Sequence, residues 1–359
     1  MKVLIYTGNM KTVAKSGVGK AIRQQIGYLK ENNIPYTTNA KDDYDIVHLN
    51  TVFPDSLIMS VIARLKGKGI VYHGHSTQED FKRSFIGSDI VAPLFKMWIK
   101  LCYSSGDIII TPTEYSKKLI ESYGIKKPVV NISNGIDTSY YSREKGSRES
   151  FREKYGFSND DKIIMSVGLF IKRKGILDFI ELAKEMPQYK FIWFGYTDTK
   201  LLPAEIQKAL KTKLPNLYFP GYVSSDELKD AYAGSDLFMF LTYEETEGLV
   251  LLEALSMKIP VIIRDIPIYE NWFKEGVELY KGKNTEDFKN KAEGILKGKL
   301  ADTREKAYEE VLKRDLRVCG KQLISQYRRV MTEKKRENGI FKIIYRYFDK
   351  LKKKKLHMG

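Results

Sequence analysis

Two carboxylates placed eight positions apart, Glu245 and Glu253, stand in the stretch Glu244-Glu-Thr-Glu-Gly-Leu-Val-Leu-Leu-Glu-Ala-Leu-Ser256. The apolar run just before it, Asp236-Leu-Phe-Met-Phe-Leu241, reads as a buried parallel strand. Strand, polar glycine-containing turn and helix therefore follow one another, with Gly248 and Leu249 where the helix opens. A helix start of this kind offers backbone N–H groups and the positive end of the helix dipole to an anion. Glu245 falls in the turn and Glu253 about two turns into the helix, where each can accept hydrogen bonds from hydroxyl groups. Phosphate at the helix start with a carboxylate on either side is chemistry suited to a sugar nucleotide. Glutamates also gather at helix starts merely to complement the dipole. What singles out this pair is the buried strand that precedes it.

Three further segments carry polar or permissive residues at strand ends. After the apolar run Ile163–Val167 comes Gly168-Leu-Phe-Ile-Lys-Arg-Lys-Gly175, which crowds Lys172, Arg173 and Lys174 between a strand and a helix. Near the N-terminus, Lys15-Ser-Gly-Val-Gly-Lys20 opens a helix. Gly17 and Gly19 permit close backbone approach there, but the spacing is neither that of a P-loop nor that of G-x-G-x-x-G. Strand Gly69–His73 runs into Tyr72-His-Gly-His-Ser76. A histidine at such a strand end can donate a hydrogen bond to a substrate hydroxyl. His73 and His75 lack a third ligand at convincing spacing, so no metal site is expected.

The elements that must position these residues are short apolar strands alternating with helical patterns. In the first half the strands are Lys2–Tyr6, Ile46–Asn50, Gly69–His73, Asp107–Thr111 and Val129–Ile132, with helices over Gly19–Asn32 and Thr113–Tyr123. A polar stretch, Ser142–Ser150, then interrupts the pattern. The rhythm restarts with strands Ile163–Val167, Lys190–Gly195, Leu217–Pro220, Leu237–Leu241 and Pro260–Arg264, and helices Gly175–Lys184, Ser225–Ala233 and Val250–Ser256. This predicts an α/β protein of two Rossmann-like, doubly wound domains facing a cleft. The expected division is residues 1–150, residues 151–330 and a basic tail, residues 331–359.

The totals fit that reading. A chain of 359 residues, 43% hydrophobic and 30% charged, can bury two cores. No apolar run approaches the roughly 18–20 residues that span a bilayer. The start Met1–Tyr6 reads as a strand rather than a signal peptide, so a cytoplasmic location is expected. Cys102 and Cys319 have no metal or redox spacing. The net charge of +16 points to an anionic partner. No nucleic-acid-binding module is evident and much of the charge sits in the tail, so a nucleic-acid partner is not expected.

Taken in order, these motifs resemble retaining GT-B glycosyltransferases of the group 1 or family 4 type, over roughly residues 1–330. Glu245 and Glu253 resemble that family's E-x7-E signature, except that Thr246-Glu247-Gly248 stands where Gly-Phe-Gly is usual. The resemblance implies that Glu245 holds donor-sugar hydroxyls and Glu253 the nucleotide ribose. It also implies that Arg173 and Lys174 carry the charge of the leaving diphosphate, and that His75, with His73 in reserve, lies close to the donor sugar. Gly17 and Gly19 match the family's N-terminal glycine-rich loop. Asn134-Gly-Ile-Asp137 matches a turn before its interdomain linker, with a structural role. No cofactor and no obligatory metal are implied, since the UDP-sugar is a co-substrate.

Several segments are similar to bacterial enzymes of this family that extend α-glucosyl-diacylglycerol. They are Met1–Tyr6, Lys15–Lys20, Asn33-Ile-Pro-Tyr-Thr37, Lys172–Phe179 and Phe191-Ile-Trp-Phe-Gly195. That similarity implies transfer of a hexose, glucose or galactose, from a UDP-sugar to a glycolipid; a polyprenyl-linked or capsule oligosaccharide stays open as the acceptor. Two patterns point to an anionic membrane surface. In the tail, Ile340, Ile343, Ile344, Tyr347, Phe348 and Leu351 recur at helical spacing beside Lys342, Arg346 and the run Lys352–Lys355. In the first half, Phe81, Phe85, Phe95 and Trp98 are interleaved with lysine and arginine. A peripheral position on the inner face of the cell membrane is the expectation.

Overall fold

Among the described residues, twelve short strands form two wholly parallel sheets. The computed structural model describes residues 1–8, 16–82, 84 and 86–356, with side chains given through Arg336. The first sheet contains β1 (Val3–Tyr6), β2 (Tyr36–Thr37), β3 (Ile46–Leu49), β4 (Gly69–His73), β5 (Ile108–Thr111) and β6 (Val129–Asn131), in the order β2-β1-β3-β4-β5-β6. The second contains β7 (Ile163–Val167), β8 (Lys190–Phe194), β9 (Leu217–Gly221), β10 (Leu237–Phe240), β11 (Val261–Arg264) and β12 (Tyr280–Gly282), in the order β12-β11-β10-β7-β8-β9. Strands such as Ile46-Val-His-Leu49 and Leu237-Phe-Met-Phe240 are buried at every position. That is the pattern of a parallel sheet covered by helices on both faces. Each domain accordingly has two apolar clusters.

The sheet orders decide where chemistry can sit. Strand order reverses between β1 and β3 in the first sheet and between β7 and β10 in the second. Loops leaving the carboxyl ends of such neighbouring strands diverge and leave a crevice. The turn after β7 carries Lys172–Lys174, and the turn after β10 carries Glu244–Gly248. The expected doubly wound architecture is therefore present, with strand ends within a residue or two of expectation.

Helices Pro54–Leu65, Ser88–Ser104, Thr285–Leu296 and Arg304–Leu312, and strands β2 and β12, were not expected from the sequence.

The expected limits of the second domain and the tail differ from the structure. A single helix runs from Leu316 to Leu356, unbroken at residue 331. Its residues Cys319, Leu323, Ile324, Tyr327 and Val330 are buried with Val3, Ile5, Ile22 and Leu29 of the first domain. The helix thus leaves the second domain and completes the first, because this apolar stripe fits the open face of the first sheet. The chain crosses between domains at two adjacent points: Ile136 N–H donates to Arg314 O at 3.0 Å and Leu316 N–H to Ile136 O at 3.0 Å.

Candidate active site

Two glycines shape the turns at the β7/β10 crevice. Gly248 caps helix Leu249–Ser256 at φ +90°, and a Cβ there would lie 2.8 Å from the Tyr269 hydroxyl and 3.0 Å from the Phe240 ring. Gly175, at φ +79°, follows the basic turn, and its Cβ would sit 2.4 Å from Leu241 O. Only glycine satisfies both the left-handed backbone and the close approach. The two turns are tied together as well, since Tyr243 N–H donates to Arg173 O at 2.8 Å. Helix Leu249–Ser256 has no side-chain cap, and its residues from Leu251 onward are buried.

These constraints bring Arg173, Lys174 and Glu245 together. Lys174 Nζ pairs with Glu245 Oε1, and Arg173 Nη1 lies 4.0 Å from Glu245 Oε2. Arg173 Nη1 also donates to Glu244 O at 2.7 Å, and its Nε donates to Ser84 Oγ at 3.1 Å. From the first domain, Asp80 Oδ1 pairs with Arg173 Nη1 at 2.8 Å. Burial pulls the Lys174 ammonium below its ordinary pKa, against the opposing pull of Glu245. Burial likewise pushes the Asp80 carboxyl up, against Arg173. A buried and a partly buried cation balanced by two carboxylates can exchange a protein carboxylate for a phosphate group.

The other predicted donor residues converge on helix Leu249–Ser256. Gly17 opens helix Gly17–Glu31, and a Cβ on it would lie 3.9 Å from Leu249 Cδ1. Gly19 is buried on the same helix. Lys20, one residue further, reaches across to pair with Glu253 Oε1 and donates to the Tyr141 hydroxyl at 2.8 Å. Tyr232 donates to Glu253 Oε2 at 3.0 Å. Glu253 is the one charge of an otherwise apolar buried helix and must be paired. A carboxylate offers about four acceptor positions, so these partners leave acceptor capacity unused.

The turn also grips the first domain. Thr113 Oγ1 donates to Thr246 O at 2.9 Å, and Tyr115 OH donates to Glu244 Oε2 at 3.2 Å. Burial raises Glu244 to about 7. Its Oε1 is buried and has no hydrogen-bond partner among the described residues.

His75 follows β4 and is 9% exposed. Its Nε2 lies 3.0 Å from Asn50 Oδ1. An amide oxygen only accepts, so Nε2 carries the proton, and burial holds the ring neutral at about 3. In this arrangement the single N–H is given to Asn50 and Nδ1 is left as an acceptor. His73, the reserve, stacks on His75 with ring centroids 4.1 Å apart.

The predicted membrane residues divide differently. Trp98 is partly buried against the first core and donates from Nε1 to Val52 O at 2.6 Å, so it faces inward rather than toward a surface. Phe81 stacks on Phe95. Phe85 lies outside the described residues. Lys342 and Arg346 are on helix Leu316–Leu356, but their side chains lie outside the described ones.

Lys20, Asn50, Asp80, Ser84 and Glu244 were missed from sequence. Each takes its partner from another element, 25 to 233 residues away in the sequence. Only Glu244 had a visible signal, its place beside Glu245.

These features define a class of protein with two Rossmann-like domains and a charged turn at the second domain's switch point, the GT-B arrangement. The sequence matches the family described as Glycosyl transferases group 1 over residues 147–314 and Glycosyltransferase Family 4 over residues 29–140. It is 39% identical to the Processive diacylglycerol alpha-glucosyltransferase of Acholeplasma laidlawii over 93% of this chain and all of that protein. The chain belongs to this glycosyltransferase family and is a hexosyltransferase. It is also 27% identical to the Alpha-galactosylglucosyldiacylglycerol synthase of Streptococcus pneumoniae, over 72% of this chain and 71% of that protein. Among solved structures, Anabaena HepE in complex with UDP and glucose superposes with a TM-score of 0.70 at 16% identity, covering 90% of this chain and 98% of that one. That likeness bears on the fold.

Proposed function

We propose that this protein is a retaining glycosyltransferase that moves glucose, or galactose, from a UDP-sugar to α-monoglucosyl-diacylglycerol at the inner surface of the cell membrane. The observation that carries the donor half is the convergence of Arg173, Lys174 and Glu245 at the β7/β10 switch point. The donor diphosphate meets Arg173, Lys174 and the start of helix Leu249–Ser256. Glu245 accepts from hydroxyls of the sugar and Glu253 from those of the ribose. The acceptor hydroxyl oxygen attacks C1 from the face the phosphate leaves, the C1–O bond to phosphate breaks, and the hydroxyl proton passes to the departing diphosphate. Two cations and a helix end stabilise the charge that develops, so the reaction runs without a metal ion.

The acceptor half is supported by the printed activities of the relatives and by an apolar face. Ile58, Val61 and Leu65 on helix Pro54–Leu65 are exposed, as are Ile90, Leu94 and Met97 on helix Ser88–Ser104. The two helices adjoin, Arg64 donating to Ser105 O at 2.7 Å. Exposed lysines, Lys66, Lys82 and Lys100, border this face. An apolar face of this kind with a basic margin suits an anionic bilayer, and the basic helix end at Lys352–Lys355 would add to it. The membrane role passes from the aromatic residues to these aliphatic ones.

The test is radiolabelled sugar transfer from UDP-glucose and, in parallel, UDP-galactose to glucosyl-diacylglycerol, to diacylglycerol and to a polyprenyl-linked oligosaccharide in anionic vesicles, with and without chelator. Transfer to a glycolipid from one donor establishes the reaction and the sugar. Transfer only to a polyprenyl-linked oligosaccharide overturns the acceptor, and a requirement for a divalent cation overturns the metal-free reaction.

A further inference from the structure

Glu247 stands where the family signature carries phenylalanine, and it is buried. Its carboxyl group meets the interdomain turn in an asymmetric way. Oε2 accepts two N–H bonds from Asn134, from the backbone at 3.1 Å and from Nδ2 at 2.7 Å. Oε1 faces a single partner, the hydroxyl of Ser133. Amide N–H groups can only donate, but a hydroxyl can donate or accept. Ser133 Oγ already accepts from Gly135 N–H at 3.0 Å and has capacity for a second proton. An ionised Glu247 takes the Ser133 hydroxyl as a third donor, but because that hydroxyl can equally accept, the same contacts also fit a carboxylic acid whose carbonyl oxygen takes two N–H bonds while its own O–H is given to Ser133.

The other side of this turn is bolted to the first domain. Gln24 donates to Gly135 O at 3.1 Å, and the Tyr28 hydroxyl donates to Asn134 O. A Cβ on Gly135, at φ +79°, would lie 2.7 Å from that hydroxyl. One residue further, Ile136 makes the crossing to Arg314 and Leu316. On the donor side, Glu247 O accepts from Tyr269 OH at 3.0 Å, and Gly248 begins the donor helix. Glu247 thus joins the turn before helix Leu249–Ser256 to the segment at which the chain crosses between the domains.

We infer that Glu247 is a positioning residue that clamps the donor turn to the interdomain hinge, and that it holds this clamp in its neutral, proton-carrying form. The inference rests on reading residues 244–248 as the donor turn. The groups that face the carboxyl group are Ser133 and Asn134 of the hinge, Tyr28 of helix Gly17–Glu31, Cys319 of the C-terminal helix, Tyr269, and Arg314. Burial raises Glu247 to about 7, against the opposing effects of Ser133, Asn134 and Arg314. The tyrosines and the cysteine facing it are all shifted upward, away from neutrality. Closing of the clamp therefore takes up a proton between the ordinary carboxylate value of 4.5 and about 7. Above that range the closed form must bury a charge, and opening is favoured.

Hydrogen exchange of residues 133–136 in the free protein tests this, with rates corrected for the intrinsic effect of pH. Protection should fall on the order of tenfold between pH 6 and pH 8, the limit set by a carboxyl group at about 7 when closed and at its ordinary value when open. Glu247→Gln reproduces the neutral form, its oxygen toward Asn134 and its NH2 toward Ser133. It should stay protected across the range, whereas Glu247→Ala should be unprotected throughout. Glu244→Gln, the control for the other raised carboxyl group, should behave as the native protein. Protection in the native protein that is flat with pH, or a Gln variant as open as the Ala variant, overturns the inference.

UDP-glucose affinity, whose esterified phosphates do not titrate here, should follow the same pattern. If UDP-glucose fails to bind at every pH, the donor reading fails, and the exchange data still decide the clamp.

Discussion

Glu245 carries the densest chemistry for a single side chain, because it is the partner of one partly buried cation and adjacent to a buried one. Replacing it with alanine leaves Lys174 partly buried without its counter-charge, which costs about 3–5 kcal/mol of stability. Glutamine retains an acceptor and should cost less. Both variants should lose transfer on the order of 10²-fold or more, as expected when a group that orients substrate at a charged site is removed. Denaturant unfolding and initial rates on the same samples separate the two effects, and a Gln variant with native rates would remove Glu245 from the site. Gly248→Ala is a different kind of change. It forces a side chain into positive φ against Tyr269 and Phe240, so unfolding should show a loss of about 1–3 kcal/mol. At this scale the sequence reveals residues in a local pattern. The E-x7-E pair and the adjacent Arg173-Lys174 are legible because strand, turn and helix follow in order. Asp80 and Asn50 are not, since their roles come from contacts that only the folded sheets create.

Among the elements, the strands were legible because burial on both faces demands unbroken apolar runs. Helices Pro54–Leu65 and Ser88–Ser104 were harder to read. Each carries apolar residues on its outer side as well as its inner one, so the amphipathic pattern blurs. The same feature inverted the reading of the aromatic residues: Phe95 and Trp98 serve the core while Ile90, Leu94 and Met97 stay exposed. Ile90→Glu combined with Leu94→Glu should therefore leave the melting temperature nearly unchanged. It should weaken co-sedimentation with anionic vesicles on the order of tenfold or more, given the transfer energy of two aliphatic side chains. Unchanged vesicle binding would assign membrane contact to the basic helix end alone.

For the whole molecule, buried titratable groups set opposing pH responses. His48 and His75 are held at about 3, and His73 is pushed well below its ordinary value, all chiefly by burial. Their stabilisation is present above the unfolded value of 6.5 and is lost as pH falls. Glu244 and Glu247, raised to about 7, contribute stability below the ordinary carboxylate value of 4.5 that is lost as pH rises through 7. At pH 5.5 the unfolded chain therefore holds about three extra protons on histidine and the folded protein about two on glutamate, with Asp80 shifted the same way. Unfolding free energy should fall by about 1.4 kcal/mol per pH unit or less in that window. In the Glu244→Gln, Glu247→Gln double variant the fall should approach about three times as much. Equal slopes in chemical denaturation at pH 5–6 would contradict the assigned protonation states.

The helix that starts at Leu316 has a consequence for how the protein is made. The first 135 or so residues leave the ribosome early, yet one face of the sheet they form is covered only in part, by helix Gly17–Glu31, until Cys319, Leu323, Tyr327 and Val330 have been synthesised. The second domain, by contrast, has all of its strands in hand by Gly282. Order of synthesis and order of completion are therefore reversed. The half that is made first waits, with part of an apolar face open to solvent and to chaperones, for residues 316–330 to close it.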